Sequence, residues 1–211
     1  MKLILLAFVF FIVVGCTPLD SLTEEEIIER IIERNITHTN QHRTGYSYYL
    51  PRGLTIIESG DFNEIARGGG YLYYIFIDVV SYYNGVRIPY QINEDAYLSM
   101  VINHGEKFGY LEINRINNKY HIEIMYNYAK IEVIVNRRDI KLAIANSITI
   151  LSTIRYNDII LSNLMGENIL DFNEREFNIF DTKNNVESGY VTAAEAQEEY
   201  KEEIPDPDLI R

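Results

Sequence analysis

Apolar and polar positions follow two rhythms along this chain, and each change of rhythm marks an element. The first periodic segment is LTEEEIIERIIERNI, where Ile27, Ile28, Ile31 and Ile32 recur at helical spacing between Glu and Arg. That spacing gathers the apolar side chains into one stripe of an amphipathic helix, predicted here over about residues 23–35. Ser21 with Glu24, or Thr23 with Glu26, has the spacing of a capping box, and the three glutamates suit the positive end of the helix dipole. The stripe has two uses: packing on the domain that follows, or resting on a membrane. Acidic residues on the polar face oppose an anionic membrane surface and favour packing.

Residues 36–45, ITHTNQHRTG, are polar and read as a loop. From residue 46 the period shortens to that of strands. YSYYL leads into the turn Pro51-Arg52-Gly53, and LTIIES follows as a second strand. A triple glycine at 68–70 precedes YLYYIFIDVVSYY, the longest β-rich run in the chain. Further strands are predicted over 97–103, 107–116, 120–126 and 130–135, with Asn117-Asn118 and His104-Gly105-Glu106 as turns between them. Strands joined by such short turns pair antiparallel. Residues 138–154 return to helical period: Ile140, Ile144, Ile148 and Leu151 share a face flanked by Ala143, Ser147, Ile150 and Ile154, with Asn136 or Asp139 placed to cap it. A face this wide needs a sheet to cover. Residues 156–164 could form a last edge strand or extend the helix, and read better as a helix extension or irregular structure. The predicted class is α+β, an antiparallel sheet packed with an N-terminal and a late amphipathic helix, with an α/β/α sandwich as its layered variant.

Length and charge narrow this picture. The 211 residues, 47% hydrophobic and 24% charged, suffice for one globular core over 23–165. The net charge of -12 opposes partners held through phosphates, nucleic acid above all. From Leu170 onward twelve acidic and four basic residues stand together, so 166–211 reads as an acidic appendage. Within it Thr192 and Glu195 form a capping box that opens a short polar helix. Asp206 and Asp208 near Glu202 and Glu203 lack the spacing and central glycine of a calcium loop. A single Cys excludes a disulfide framework and a thiolate metal site built by this chain alone.

That Cys has a specific place. Lys2 precedes an apolar run, Leu3 to Val14, shorter than the roughly 20 residues a membrane-crossing helix needs. The run ends Val13-Val14-Gly15-Cys16, which resembles the bacterial lipobox. The resemblance implies a signal peptide over 1–15, removal before Cys16, a diacylglycerol on the Cys16 thiol and further acylation (palmitate or a similar chain) on the new amine. Residues 16–22 would be a lipidated tether, and the mature chain would lie outside the cytoplasmic membrane. Two or three acyl chains meet the requirement for stable anchoring.

In the middle of the chain, the strand into Leu50-Pro51-Arg52-Gly53-Leu54, the strands after it, and a helix closing on Ser152, Ile154 and Tyr156 resemble the Mog1/PsbP-like α/β/α sandwich. Leu54 stands where that family usually has Trp. The resemblance spans 46–156 and implies a scaffold or accessory role instead of a reaction.

Catalytic signatures are scarce. The chain has no G-x-S-x-G elbow, no phosphate-binding G-x-x-x-x-G-K loop, no H-E-x-x-H and no S-x-x-K. Arg67-Gly68-Gly69-Gly70 precedes a strand, so it reads as a turn or bulge and not as a phosphate cradle. His38 and His42 have helical ligand spacing but sit in a polar loop, and no further ligands can be placed beside them; the prediction is no metal and no cofactor. His104 falls in a turn, and His121 on the strand face opposite Ile122 and Ile124. Asp78 lies inside an apolar run, where a buried carboxylate would have a raised pKa. Seventeen tyrosines without a tryptophan invite a binding face, with Tyr71, Tyr73, Tyr74, Tyr82 and Tyr83 as its candidates beside Tyr46, Tyr48 and Tyr49. The leading expectation is a membrane-anchored binding or assembly module with an envelope protein as partner. The alternative is a small envelope hydrolase or cell-wall enzyme.

Overall fold

Thr23 opens the first helix. Its hydroxyl accepts from the Glu26 amide at 3.2 Å while its own amide donates to the Glu26 carboxylate at 2.8 Å, which completes the capping box and starts α1 at Glu24–Glu33. The computed structural model describes residues 18–166; the lipobox, Cys16 and the acidic appendage lie outside the described residues.

The strands that follow are β1 Gln41–Arg43, β2 Tyr46–Tyr48, β3 Thr55–Ser59, β4 Asn63–Gly68 and β5 Tyr71–Ile77. After the short helix α2 Val79–Asn84 come β6 Leu98–His104, β7 Lys107–Ile116, β8 Lys119–Tyr126 and β9 Ala129–Val135. The chain continues with α3 Ile140–Ser152, β10 Arg155–Tyr156 and α4 Asp158–Gly166. Seven strands form one antiparallel sheet in the order β3-β4-β5-β9-β8-β7-β6, and β1-β2-β10 form a small second sheet.

Period-two alternation decides the faces. Ile122 and Ile124 of β8, Leu111 and Ile113 of β7, and Ile131 and Val133 of β9 are fully buried beneath Ile144, Ile148 and Leu151 of α3. The alternate positions, His121, Glu123, Lys130 and Glu132, lie on the outer face. Helix α1 lies beside α3 and buries Ile27 and Ile28 in the same core, so its stripe packs on the domain. Both long helices therefore cover one face of the sheet.

Strand registers fix two opposite ends. The proximal end carries the chain at Pro18, the turn before β3, the β4–β5 and β7–β8 hairpins, and the start of α3. The distal end carries α2, the β6–β7 and β8–β9 turns, and the C-terminus of α3. Lys141 donates to the Asp20 carbonyl at 2.7 Å, while Ile32 and Glu33 line a cleft with Ser152, so α1 and α3 run parallel.

Several local expectations change. The long run from Tyr71 is not one strand: Asp78 caps α2, its carboxylate accepting from the Ser81 amide at 2.8 Å, and Gly85 at φ 64° ends that helix. Residues 36–45 contain β1, and β4 was not anticipated because Asn, Glu and Arg dilute its apolar positions. Residues 156–164 hold the end of β10 and a separate helix, because α3 stops at Thr153. Neither Asn136 nor Asp139 supplies a cap; both meet the Tyr71 hydroxyl, which donates to Asp139 at 2.6 Å and accepts from Asn136 Nδ2 at 2.8 Å. The triple glycine makes the β4–β5 hairpin turn, with Gly69 and Gly70 at positive φ.

Gly109 shows how closely the sheet is packed, since a Cβ there would overlap the Met125 carbonyl of β8. Gly109→Ala should destabilise the domain by about 2 kcal/mol through overpacking, read as a lower urea midpoint at unchanged slope.

Candidate functional site

The distal end is assembled around Glu64. Its carboxylate, with no side-chain exposure, accepts from Tyr48 at 2.7 Å, Arg43 at 2.8 Å and Tyr46 at 2.9 Å. Tyr46 and Tyr48 are two residues apart in β2 and so face the same way, while Glu64 sits in β4; the cluster ties the small sheet to the large one. Burial, and then the neighbouring carboxylate, pushes both tyrosine hydroxyls far above their ordinary pKa, so they remain donors.

Beside this cluster the tyrosines converge. Tyr82 of α2 stacks on Tyr156 at 3.8 Å between centroids and meets Tyr128 edge-on at 5.6 Å. Tyr128 in turn meets Phe108 at 5.1 Å, and the Arg87 guanidinium lies 5.0 Å over that ring. Tyr82 donates to Asp158 at 2.9 Å, and burial together with that carboxylate pushes it up to about 12. Tyr156 donates to the Asn127 carbonyl at 2.8 Å. A cleft of about 450 Å³ opens here, lined by Arg43, Tyr46, Arg155, Tyr156, Asp158 and Ile160. Ile159, which lines it, is 76% exposed, and on and just after α2 Tyr83 is 45% exposed and Val86 50%. Stacking faces, aliphatic side chains and paired charges in one place suit contact with another macromolecule.

A second polar group lies on the outer sheet face. His121 Nε2 is 3.2 Å from Glu132, Lys130 is 2.6 Å from the same carboxylate, and Tyr110 donates to Glu123 at 2.6 Å. Tyr90 stacks on Tyr110 at 4.0 Å and donates to Glu112 at 2.7 Å, which holds part of the 85–97 segment over this face. Burial would raise the Glu132 pKa, but the His121 hydrogen bond and the Lys130 ammonium outweigh it and hold the carboxyl at about 2. A carboxylate so well compensated is a poor proton acceptor.

The five candidate tyrosines do not share a face. Tyr71 and Tyr73 point toward α3, where Tyr73 is 2% exposed and accepts from Asn146 Nδ2 at 3.3 Å. Tyr74 is on the opposite face of β5, packed with Leu72 and Ile134. Only Tyr82 joins the distal cluster; Tyr83, next to it in α2, is exposed. Asp78 is a helix cap, His38 packs edge-on against Tyr49 at 4.7 Å, and His42 lies in β1 at the cleft. His104 ends β6, and among the described residues no three His, Cys, Asp or Glu are grouped to hold a metal ion. Glu64, Tyr128, Tyr156 and Ile159 escaped the sequence reading; β2 alternation signals Tyr46 and Tyr48, but their partner lies on the unanticipated β4. No family model, curated protein or solved structure matches the chain.

Glu64→Ala strands two hydroxyls and a guanidinium and should cost about 3–5 kcal/mol, measured by urea unfolding. Because the folded-state pKa of Glu132 is depressed, its stabilisation is full above about 4.5 and lost as pH falls toward 2. Glu132→Gln should flatten the pH dependence of the urea midpoint within that window.

Proposed function

We propose that this protein is a lipid-anchored extracytoplasmic lipoprotein whose domain presents a partner-binding surface away from the membrane. One observation carries the reading. Pro18, two residues from the candidate acylation site Cys16, lies at the proximal end, and the exposed tyrosine–aliphatic surface lies at the distal one. An anchor on Cys16 would then leave Tyr83, Val86, Ile159 and Ile160 facing the extracytoplasmic space and an envelope protein partner. Among the described residues no helix is long and apolar enough to cross a membrane. The acidic balance disfavours a nucleic-acid partner.

The hydrolase alternative would use the His121–Glu132 pair, the described His and carboxylate in contact. His121 is only 8% exposed, and Glu132 is already neutralised by Lys130, which favours the binding reading.

The mass of the mature N-terminus from native membranes should show a diacylglyceryl Cys16, absent from Cys16→Ala; an unmodified terminus sinks the anchor. A photo-crosslinker at position 159 should capture a discrete envelope protein, and Tyr83→Ala with Ile159→Asp should reduce that yield at least about tenfold, as loss of interface anchors does. Acylation with no partner captured at this surface would favour the hydrolase.

A further inference from the structure

The loops at the proximal end are basic, although the chain carries a net charge of -12. Four loops meet there: PRGL at 51–54, RGGGY at 67–71, RINNK at 115–119 and NRR at 136–138. They carry Arg52, Arg67, Arg115, Lys119, Arg137 and Arg138 and no acidic residue. Arg67, Arg115 and Arg137 are exposed, and the Arg138 side chain is 85% exposed. Lys141 joins them through its hydrogen bond to the Asp20 carbonyl.

Apolar side chains stand among these charges. Tyr97 is 49% exposed, Leu142 50% and Ile116 38%, and Tyr97 packs edge-on against Tyr120 at 4.9 Å. Arg137, Arg138, Lys141 and Tyr97 line a cleft of about 540 Å³ with Asp20 and Glu24. Asp139 is engaged by Tyr71 and Arg138, while Asp20 and the first-turn residues Glu24, Glu25 and Glu26 of α1 lie at this end on the helix side of the loops. Exposed basic groups interleaved with tyrosine and aliphatic residues suit the headgroup layer of a bilayer, where the cations meet phosphate and the apolar side chains enter the acyl boundary.

The tether gives this pattern its meaning. Cys16 and Pro18 are two residues apart, so their Cα atoms are separated by at most ~7 Å. Acyl chains on Cys16 would therefore hold the proximal end beside the bilayer, so that contact between its loops and the headgroups becomes an intramolecular step.

We propose that the proximal end is a membrane-docking face that binds anionic phospholipid headgroups and sets the orientation of the domain on the bilayer. This rests on the lipoprotein reading and adds to it: the lipid anchors, and the basic loops aim.

The chain's single cysteine allows a test that does not depend on native acylation. The mature chain from Cys16 is coupled through its thiol to a maleimide lipid in vesicles of phosphatidylcholine, with or without phosphatidylglycerol. Amide hydrogen exchange is then followed at 115–119 and 136–141. Slower exchange is expected only on the phosphatidylglycerol vesicles, and it should be lost at high salt. Arg137→Gln with Arg138→Gln should lower the docked-to-free ratio about 30-fold, about fivefold per charge. Arg34→Gln, at an exposed residue of the opposite end, should leave it unchanged. Equal exchange on the two vesicle types, or an undiminished effect in the double variant, overturns the proposal. So does protection by dissolved polyphosphate without protection by the vesicles, which would assign the face to an anionic polymer. The native N-terminal mass is read separately: docking with an unmodified Cys16 would overturn the lipoprotein reading and leave the face standing.

Discussion

The distal half of this domain depends on one buried carboxylate. Glu64 sits without side-chain exposure between two sheets, and a charge so placed is costly unless it is paired and hydrogen-bonded. Arg43, Tyr46 and Tyr48 supply the counter-charge and the donors, and all three come from the small sheet. Without Glu64, β1 and β2 would touch the large sheet through hydroxyls with no acceptor; with it, their position against β4 is set by three directional bonds. The same contact fixes where Tyr156 can lie, because β10 pairs with β2 at Tyr46. The stacked pair Tyr82–Tyr156, and with it the distal cleft, inherits its geometry from that carboxylate.

The core is simpler, and much of it was legible. Strict alternation in β7, β8 and β9 and the helical stripe of α3 place Ile113, Ile122, Ile131 and Ile148 together without further information. The sequence offers two capping boxes for α1, Ser21 with Glu24 and Thr23 with Glu26, and the structure forms the second. What failed was local and had physical causes. Asp78 follows seven strand residues that carry no break signal, and only its hydrogen bond to Ser81 shows that a helix has begun. β4 is polar at Asn63, Glu64 and Arg67, so its strand character comes from neighbours on both sides.

The tyrosines show the limit of composition as a guide. Counting residues along YLYY suggests a cluster, yet the pleat sends Tyr71 and Tyr73 to one face and Tyr74 to the other. The surface that does gather aromatic rings draws them from α2, the β8–β9 turn and β10, distant in sequence and joined only by the fold. An aromatic surface of this kind leaves no motif, because no two of its members need a fixed spacing.

Parallel packing of α1 and α3 adds a last constraint. Two antiparallel helices would cancel their dipoles, whereas these place both N-termini at the proximal end, beside Lys141 and Arg137. The Thr23–Glu26 box neutralises part of that field at α1, but α3 begins without a side-chain cap, since Asp139 is turned toward Tyr71. The start of α3 thus retains partial positive charge where the exposed arginines lie. The chain enters the domain at this same end, so one axis leads from its entry and the basic loops to the tyrosine surface beyond Glu64. An anchor at the N-terminus would therefore act at the basic end of that axis, and the long acidic segment after α4 lies beyond the described end of the chain.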